Sequence, residues 1–238
     1  MKSQILKLVW NIYKVRVFNR KMPVKNCCRF LLFASFYLIA PWSHPAENES
    51  LLPQFGRDTV LVWEITIQDT TRDFVVRLAG FYPDLLMEWE DFRSQGTVFI
   101  PNEDILKAKG YTNKGLFKPG MDTRSENSTT MWLSRKIFLE LKEKKKAKCN
   151  IDRISGRMTY EGDGKISVEV NGSTVVLPAI IVQDDRGAER WFLDQEQNPL
   201  MMKYTLRQYS QSLVSITTNR KNTLRWLKGS KLRRLLPK

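Results

Sequence analysis

Val60-Leu61-Val62-Trp63-Glu64-Ile65-Thr66-Ile67 decides how the rest of the chain reads. Leu61, Trp63, Ile65 and Ile67 give it one wholly apolar side, while the other side turns polar at Glu64 and Thr66. That period of two predicts a half-buried strand. The pattern recurs downstream. Phe74, Val76 and Leu78 alternate with Val75, Arg77 and Ala79, and the polar linker Gln68–Asp73 predicts a hairpin between the two runs. Leu85, Met87 and Trp89 alternate with Leu86, Glu88 and Glu90 as a third strand, and Thr97-Val98-Phe99-Ile100 makes a fourth that stops at Pro101.

Helical signals then interrupt the strands. Asn102 is placed to cap a helix over residues 103–109, with Gly110 as its stop. Residues 111–128, with Gly115, Pro119 and Gly120, read as loop. Leu133, Ile137 and Leu141 recur at helical spacing and predict a helix over 131–145 whose lysine-rich C-terminal end complements the helix dipole. Strand patterns return afterwards. Asn171-Gly172 suits a type I′ turn between Ile166–Val170 and Thr174–Val182, and Pro178 marks an edge or a bulge in the second of these. Arg190–Leu193, Leu200–Leu206 and Ser212–Thr217 complete about nine or ten strands with one or two helices. Strands and helices do not alternate as a parallel sheet needs. The expected fold is mainly β: a curled antiparallel sheet, an open half-barrel, wrapped on a helix.

Charge divides the 238 residues into an ordinary body and two basic ends. The net charge is +14, but residues 1–29 and 219–238 hold eight Lys/Arg each and no acid. Residues 30–218 keep 23 basic against 25 acidic residues, a net of −2, which argues against a nucleic-acid-binding fold. The uncharged, mostly apolar run Phe30–Ala40 follows Arg29 in the order of a secretory signal, and it is short for a membrane span. Met22 opens a more ordinary signal than Met1. Residues 1–46 are therefore expected to be a basic segment with a signal peptide, or alternatively an uncleaved signal-anchor. Residues 47–57 read as linker, 58–218 as one β-rich domain and 219–238 as a basic tail. In that tail Trp226 and five leucines interleave with the cations, which gives it the means to contact an anionic membrane.

The Met131-Trp132-Leu133-Ser134 segment at a helix start, the hairpins after it and the segment from Trp191 through Asp194-Gln195-Glu196-Gln197-Asn198-Pro199 to Tyr204 resemble a group of uncharacterised bacterial exported proteins. Their domain looks like the open half-barrel of the lipoprotein-localisation factors. The resemblance implies a periplasmic or envelope location and a concave apolar sheet face suited to lipid chains. It implies no catalytic role for any residue. Asp194–Pro199 itself reads as a tight polar turn ahead of a proline.

Catalytic constellations are hard to assemble from these residues. The single histidine, His44, lies beside the signal, and Cys149 is the one cysteine beyond it, so Cys149 reads as a packed strand residue with neither a base nor a disulfide partner. Glu161–Ser167 resembles the centre of a calcium loop but lacks its first carboxylate and its bidentate Glu, and reads as a hairpin turn. Glu88/Glu90 and Asp184/Asp185 read as a solvated strand face and a turn rather than paired catalytic acids. No cofactor is expected, and the chain is expected not to be an enzyme. The stripe Trp63, Val76, Met87, Trp89 and Met202 is core, or the wall of a groove holding a lipid-like ligand or a hydrophobic partner. The alternative is an interaction or scaffold protein with a filled core. If export occurs, N-terminal sequencing of the fractionated native protein is expected to start after residue 40 or 46, or to find an intact membrane-bound anchor; a full-length soluble cytosolic protein would refute export.

Overall fold

The computed structural model describes residues 52–218 except Lys114. The expected signal and the basic tail lie outside the described residues, as does the start of the linker. In chain order the elements are β1 Val60–Ile67, β2 Thr70–Gly80, β3 Leu85–Glu90, β4 Gln95–Ile100, α1 Asn102–Lys107, β5 Gly110–Tyr111, β6 Asp122–Arg124 and β7 Ser128–Thr129. There follow α2 Arg135–Lys144, β8 Lys146–Ile151, β9 Ile154–Val170, β10 Ser173–Asp184, β11 Glu189–Leu193, β12 Met201–Leu206 and β13 Tyr209–Thr217. The fold class is as the sequence predicts: a large curled sheet, mainly antiparallel, with two helices. Its 13 strands run in the order β6-β4-β3-β2-β1-β13-β12-β11-β10-β9-β8-β5-β7. The outermost strands, β6 and β7, are three and two residues long, which leaves little exposed edge for pairing with other chains.

β1 pairs with β2 along its whole length, and with β13 from Val60↔Thr217 to Ile67↔Tyr209. The other side of β13 is shared. It takes β12 at residues 209–212 and β9, in parallel, at Ser215↔Glu169 and Ile216↔Val170. The β9 contact closes a ring through β9, β10, β11, β12 and β13, while the strands from β1 to β6 and from β8 to β7 continue outward from it. Ile137, Phe138 and Leu141 of α2 are buried in the main core, and the helix packs on β8 and β9.

The register sets the inward side chains in rows. Leu61 faces Val76, which faces Trp89; Trp63 faces Phe74. The outward face holds Arg77, which is only 4% exposed because it is fixed between Asp58 at 2.7 Å and Glu88 at 2.5 Å. Glu88 is thus an ion-pair partner rather than part of a freely solvated face. Cys149 lies on the inward side of β8 and is buried, as its strand reading requires.

Several sequence boundaries move, each for a tertiary reason. β2 begins at Thr70, so the hairpin turn is only Gln68-Asp69; the backbone ladder continues past the core into a solvent-exposed tip that alternation cannot register. α1 takes Pro101 as its N-cap, and the Asn102 N–H donates to Asp84 Oδ1 at 2.8 Å. Residues 131–134 are not helical. Met131 has φ 61°, Trp132 bridges Leu200, and Leu133 N–H donates to Pro199 O at 3.0 Å, so pairing with the β11–β12 connection replaces the first helical turn. Ser134 is the true N-cap: its Oγ accepts from Ile137 N and donates to Ala108 O. Glu161–Ser167 is no turn; it runs through the middle of the 17-residue β9, with a bulge opposite Ile181/Val182. Gly164 there is needed for close approach, because a Cβ would stand 2.9 Å from the Trp191 ring. Pro178 is inside the sheet, at the point where the β10–β11 ladder ends at Ala179↔Leu193. Phe55, in the expected linker, is buried against Phe81 and Trp132. The Asn171-Gly172 turn is as expected, with φ 53° and 85°.

Trp63 is fully buried and its Nε1 donates to Met201 O at 3.1 Å. Trp63→Ala is expected to cost about 3–5 kcal/mol in urea unfolding, whereas Val176→Ala, at an exposed strand position, is expected to stay within about 0.5 kcal/mol.

Candidate functional site

Where β1, β2 and β13 run side by side, the loop of residues 111–131 stands over the sheet and leaves a cavity of about 320 Å³. Such a volume lies at the lower end of the range for small-ligand sites. Its apolar wall comes from Ile65 of β1, Phe74 of β2, Trp89 of β3, and Phe117 and Met131 of the loop. The aromatic rings interlock: Phe117 lies edge-on to Phe74 at 5.0 Å and to Trp89 at 5.7 Å, while Phe74 stacks on Trp89 at 5.9 Å. The rim carries Ile67 and Phe92, 46% and 66% exposed, with the guanidinium groups of Arg72 and Arg93 against the Phe92 ring at 6.0 and 5.5 Å. Exposed large apolar side chains at a cavity mouth mark a contact site more clearly than single ones elsewhere.

A few polar groups converge on the same cavity. Asn113, Tyr209 and Gln211 line it, and the Tyr209 hydroxyl donates to Gln211 Oε1 at 3.1 Å. Burial pushes the Tyr209 hydroxyl well above the ordinary phenol range, with a smaller contribution from Tyr204, so it stays a protonated donor at neutral pH. Asn113 joins the cavity to a buried charge pair. Its Oδ1 lies 3.5 Å from Arg190 Nε, and its own N–H and Nδ2 donate to Asp152.

Arg190 projects inward from β11 and is 1% exposed. Its Nη1 donates to Asp184 Oδ2 at 2.8 Å, and the Tyr204 and Tyr111 rings cover its guanidinium at 4.8 and 5.7 Å. Asp184 Oδ1 accepts from the N–H groups of Arg186 and Ala188 at 2.9 and 3.0 Å. Burial alone would raise the Asp184 pKa, but Arg190 and these N–H donors outweigh it and hold the carboxyl below its usual range. Asp184 is therefore a buried, fully engaged ion-pair partner, not one of two acids in an open turn. The Cys149 thiol is pushed up to about 11, first by burial and then by neighbouring acids, against the pull of Arg190; it is a protonated packing group.

Of the stripe singled out in the sequence, Trp63, Val76, Met87 and Met202 are wholly closed inside the core, and Trp89 alone reaches the cavity wall. The cavity's other members were not legible in the pattern. Ile65 and Phe74 belong to strands that were recognised, but Asn113 and Phe117 come from a stretch whose only local signals are glycine and proline, and Met131 was read as the start of a helix that it does not join. An aromatic residue inside such a loop was the one available clue. Asp194–Pro199 forms a compact connection and ties down α2, with Arg135 paired to Glu196 and Lys142 to Asp194 at 2.9 Å. Among the described residues no three His, Cys, Asp or Glu side chains group as a metal site, and no helix is long and apolar enough to cross a membrane. Comparison with protein-family models, curated proteins and solved structures finds no match.

The depressed Asp184 pKa carries a sign. Its contribution to stability is complete above the unfolded-state value, near pH 4, and is lost as the pH falls through the lower folded-state value. Asp184→Asn is expected to lose about 3–5 kcal/mol at pH 7, with a gap to the parent that narrows at pH 3, measured by urea titration at both pH values.

Proposed function

We propose that this domain is a non-enzymatic binding module of an exported envelope protein, and that it holds an apolar chain of a lipid-like molecule against the sheet. The observation that carries the reading is the cavity built from Ile65, Phe74, Trp89, Phe117 and Met131, open to solvent at Ile67 and Phe92. A mostly apolar pocket with a few convergent polar groups is the usual form of a small-molecule site. Asn113, Gln211 and the protonated Tyr209 hydroxyl give an amphiphile's polar end places to donate and accept hydrogen bonds. The resemblance to half-barrel lipid carriers points the same way.

Closure of the other stripe residues in the core favours a second reading, an interaction protein with a filled interior. Native mass spectrometry of the purified full chain separates the two. The lipid reading expects a co-purifying amphiphile, and expects Ile65→Trp, which fills the cavity, to reduce its retention about tenfold with little change in melting temperature. Protein that is empty, and that takes up no fatty acid or phospholipid when these are supplied, would select the scaffold instead.

A further inference from the structure

The folded chain gathers positive charge in one place that its nearly neutral body does not foretell. A groove of about 580 Å³ runs beside α2 and the outward face of β8. Lys136, Glu140 and Lys144 reach it from successive turns of one helix face. Lys146 and Lys148 come from the exposed side of β8, whose alternate residues Ala147 and Cys149 are buried. Arg157 of β9 stands directly across from Lys148. Lys109 completes the wall, held in place because its carbonyl accepts from Asn150 N at 2.8 Å. Six cations thus surround the single carboxylate of Glu140.

Among the described residues none of the five lysines has a salt-bridge partner, and Arg157 alone pairs, with Asp185 at 3.3 Å. Helix electrostatics accounts for Lys144 at the C-terminal end of α2 but opposes Lys136, which sits in a first turn that holds no acid. Unpaired like charges repel one another, and a bound anion reverses that cost. Lysines outnumber the single arginine, so the groove presents mobile point charges rather than the planar forks that clamp a carboxylate. The lining contains no aromatic ring for stacking a nucleobase. Its volume suits a small molecule.

We infer that this groove is an anion site for a compact, multiply phosphorylated group, whether a free polyphosphate or a phosphorylated lipid head group. The site is separate from the apolar cavity and does not depend on the lipid reading. None of its lining residues belongs to the basic tail, and the last described residue before that tail, Thr218, hydrogen-bonds to Asn171 just past the end of β9, while Arg157 lies near the start of the same strand.

Calorimetric titration of the full chain with inorganic triphosphate tests the inference. A parallel arm measures sedimentation with phosphatidylcholine vesicles that contain or lack phosphatidic acid. Lys146→Ala/Lys148→Ala is compared with Lys118→Ala/Lys165→Ala, which removes equal charge from exposed positions outside the groove. The groove pair is expected to weaken triphosphate binding at least tenfold while the control pair changes it less than twofold, with unaltered melting temperatures for both. Triphosphate binding without groove-dependent sedimentation identifies a free anion as the ligand; groove-dependent sedimentation identifies the head group. Equal loss in both pairs, or neither triphosphate binding nor groove-dependent sedimentation, would overturn the site.

Discussion

The first and last long strands of the domain lie side by side, and much of the molecule depends on that pairing. β1 holds β2 on one side and β13 on the other for its full length. It joins the β1–β4 meander to the ring that begins and ends at β13. It also sets Ile65 beside Gln211, which brings the apolar wall and the polar end of the cavity together. Contacts of such sequence separation form only after a large loop is closed, so folding is expected to be slow relative to helical domains of this size.

Within the ring, the inward-facing Arg190 is the element an apolar core would exclude. Its charge is tolerated because Asp184 neutralises it, two backbone N–H groups hold Asp184, and two tyrosine rings cover the guanidinium. The arrangement also fixes position. Asn113 bridges between Arg190 and Asp152, and Arg186 reaches both Asp152 and the carbonyl of Ile151. The same polar cluster therefore holds the Thr112–Asn113 start of the 111–131 segment against the sheet, while β6 and β7 tie down its later part by pairing with β4 and β5. A cavity wall supplied by a loop needs an anchor of this kind if its aromatic side chain is to stay over the strands.

Charge is distributed by the same logic of placement over total. The body of the chain is close to neutral in sequence, yet folding pairs its acids with one set of cations and leaves another set together. Arg77, Arg135, Lys142 and Arg190 find carboxylates. Among the described residues, the five groove lysines Lys109, Lys136, Lys144, Lys146 and Lys148 do not. A count of residues treats the two sets as equal, and the surface potential does not.

Alternation at period two, the Asn171-Gly172 turn and the amphipathic spacing of Ile137 and Leu141 were sufficient to establish a mainly β domain with a curled sheet and a packed helix. These signals are local, because side chains alternate across a strand and recur along a helix whatever their partners are. Residues 131–134, the short strands β5, β6 and β7, and the straight passage of β9 through Glu161–Ser167 were decided by pairing with distant segments. The cavity and the basic groove belong with them. Trp89 was legible as a candidate wall residue, but Asn113 is placed by the Arg190 network and Phe117 by a segment that the β4–β6 pairing and Thr123 also hold, and Lys109, Lys148 and Arg157 become neighbours only when β5, β8 and β9 lie together. Local periodicity determines which face of an element is buried; only the tertiary pairing determines which faces meet, and functional sites are made where they meet.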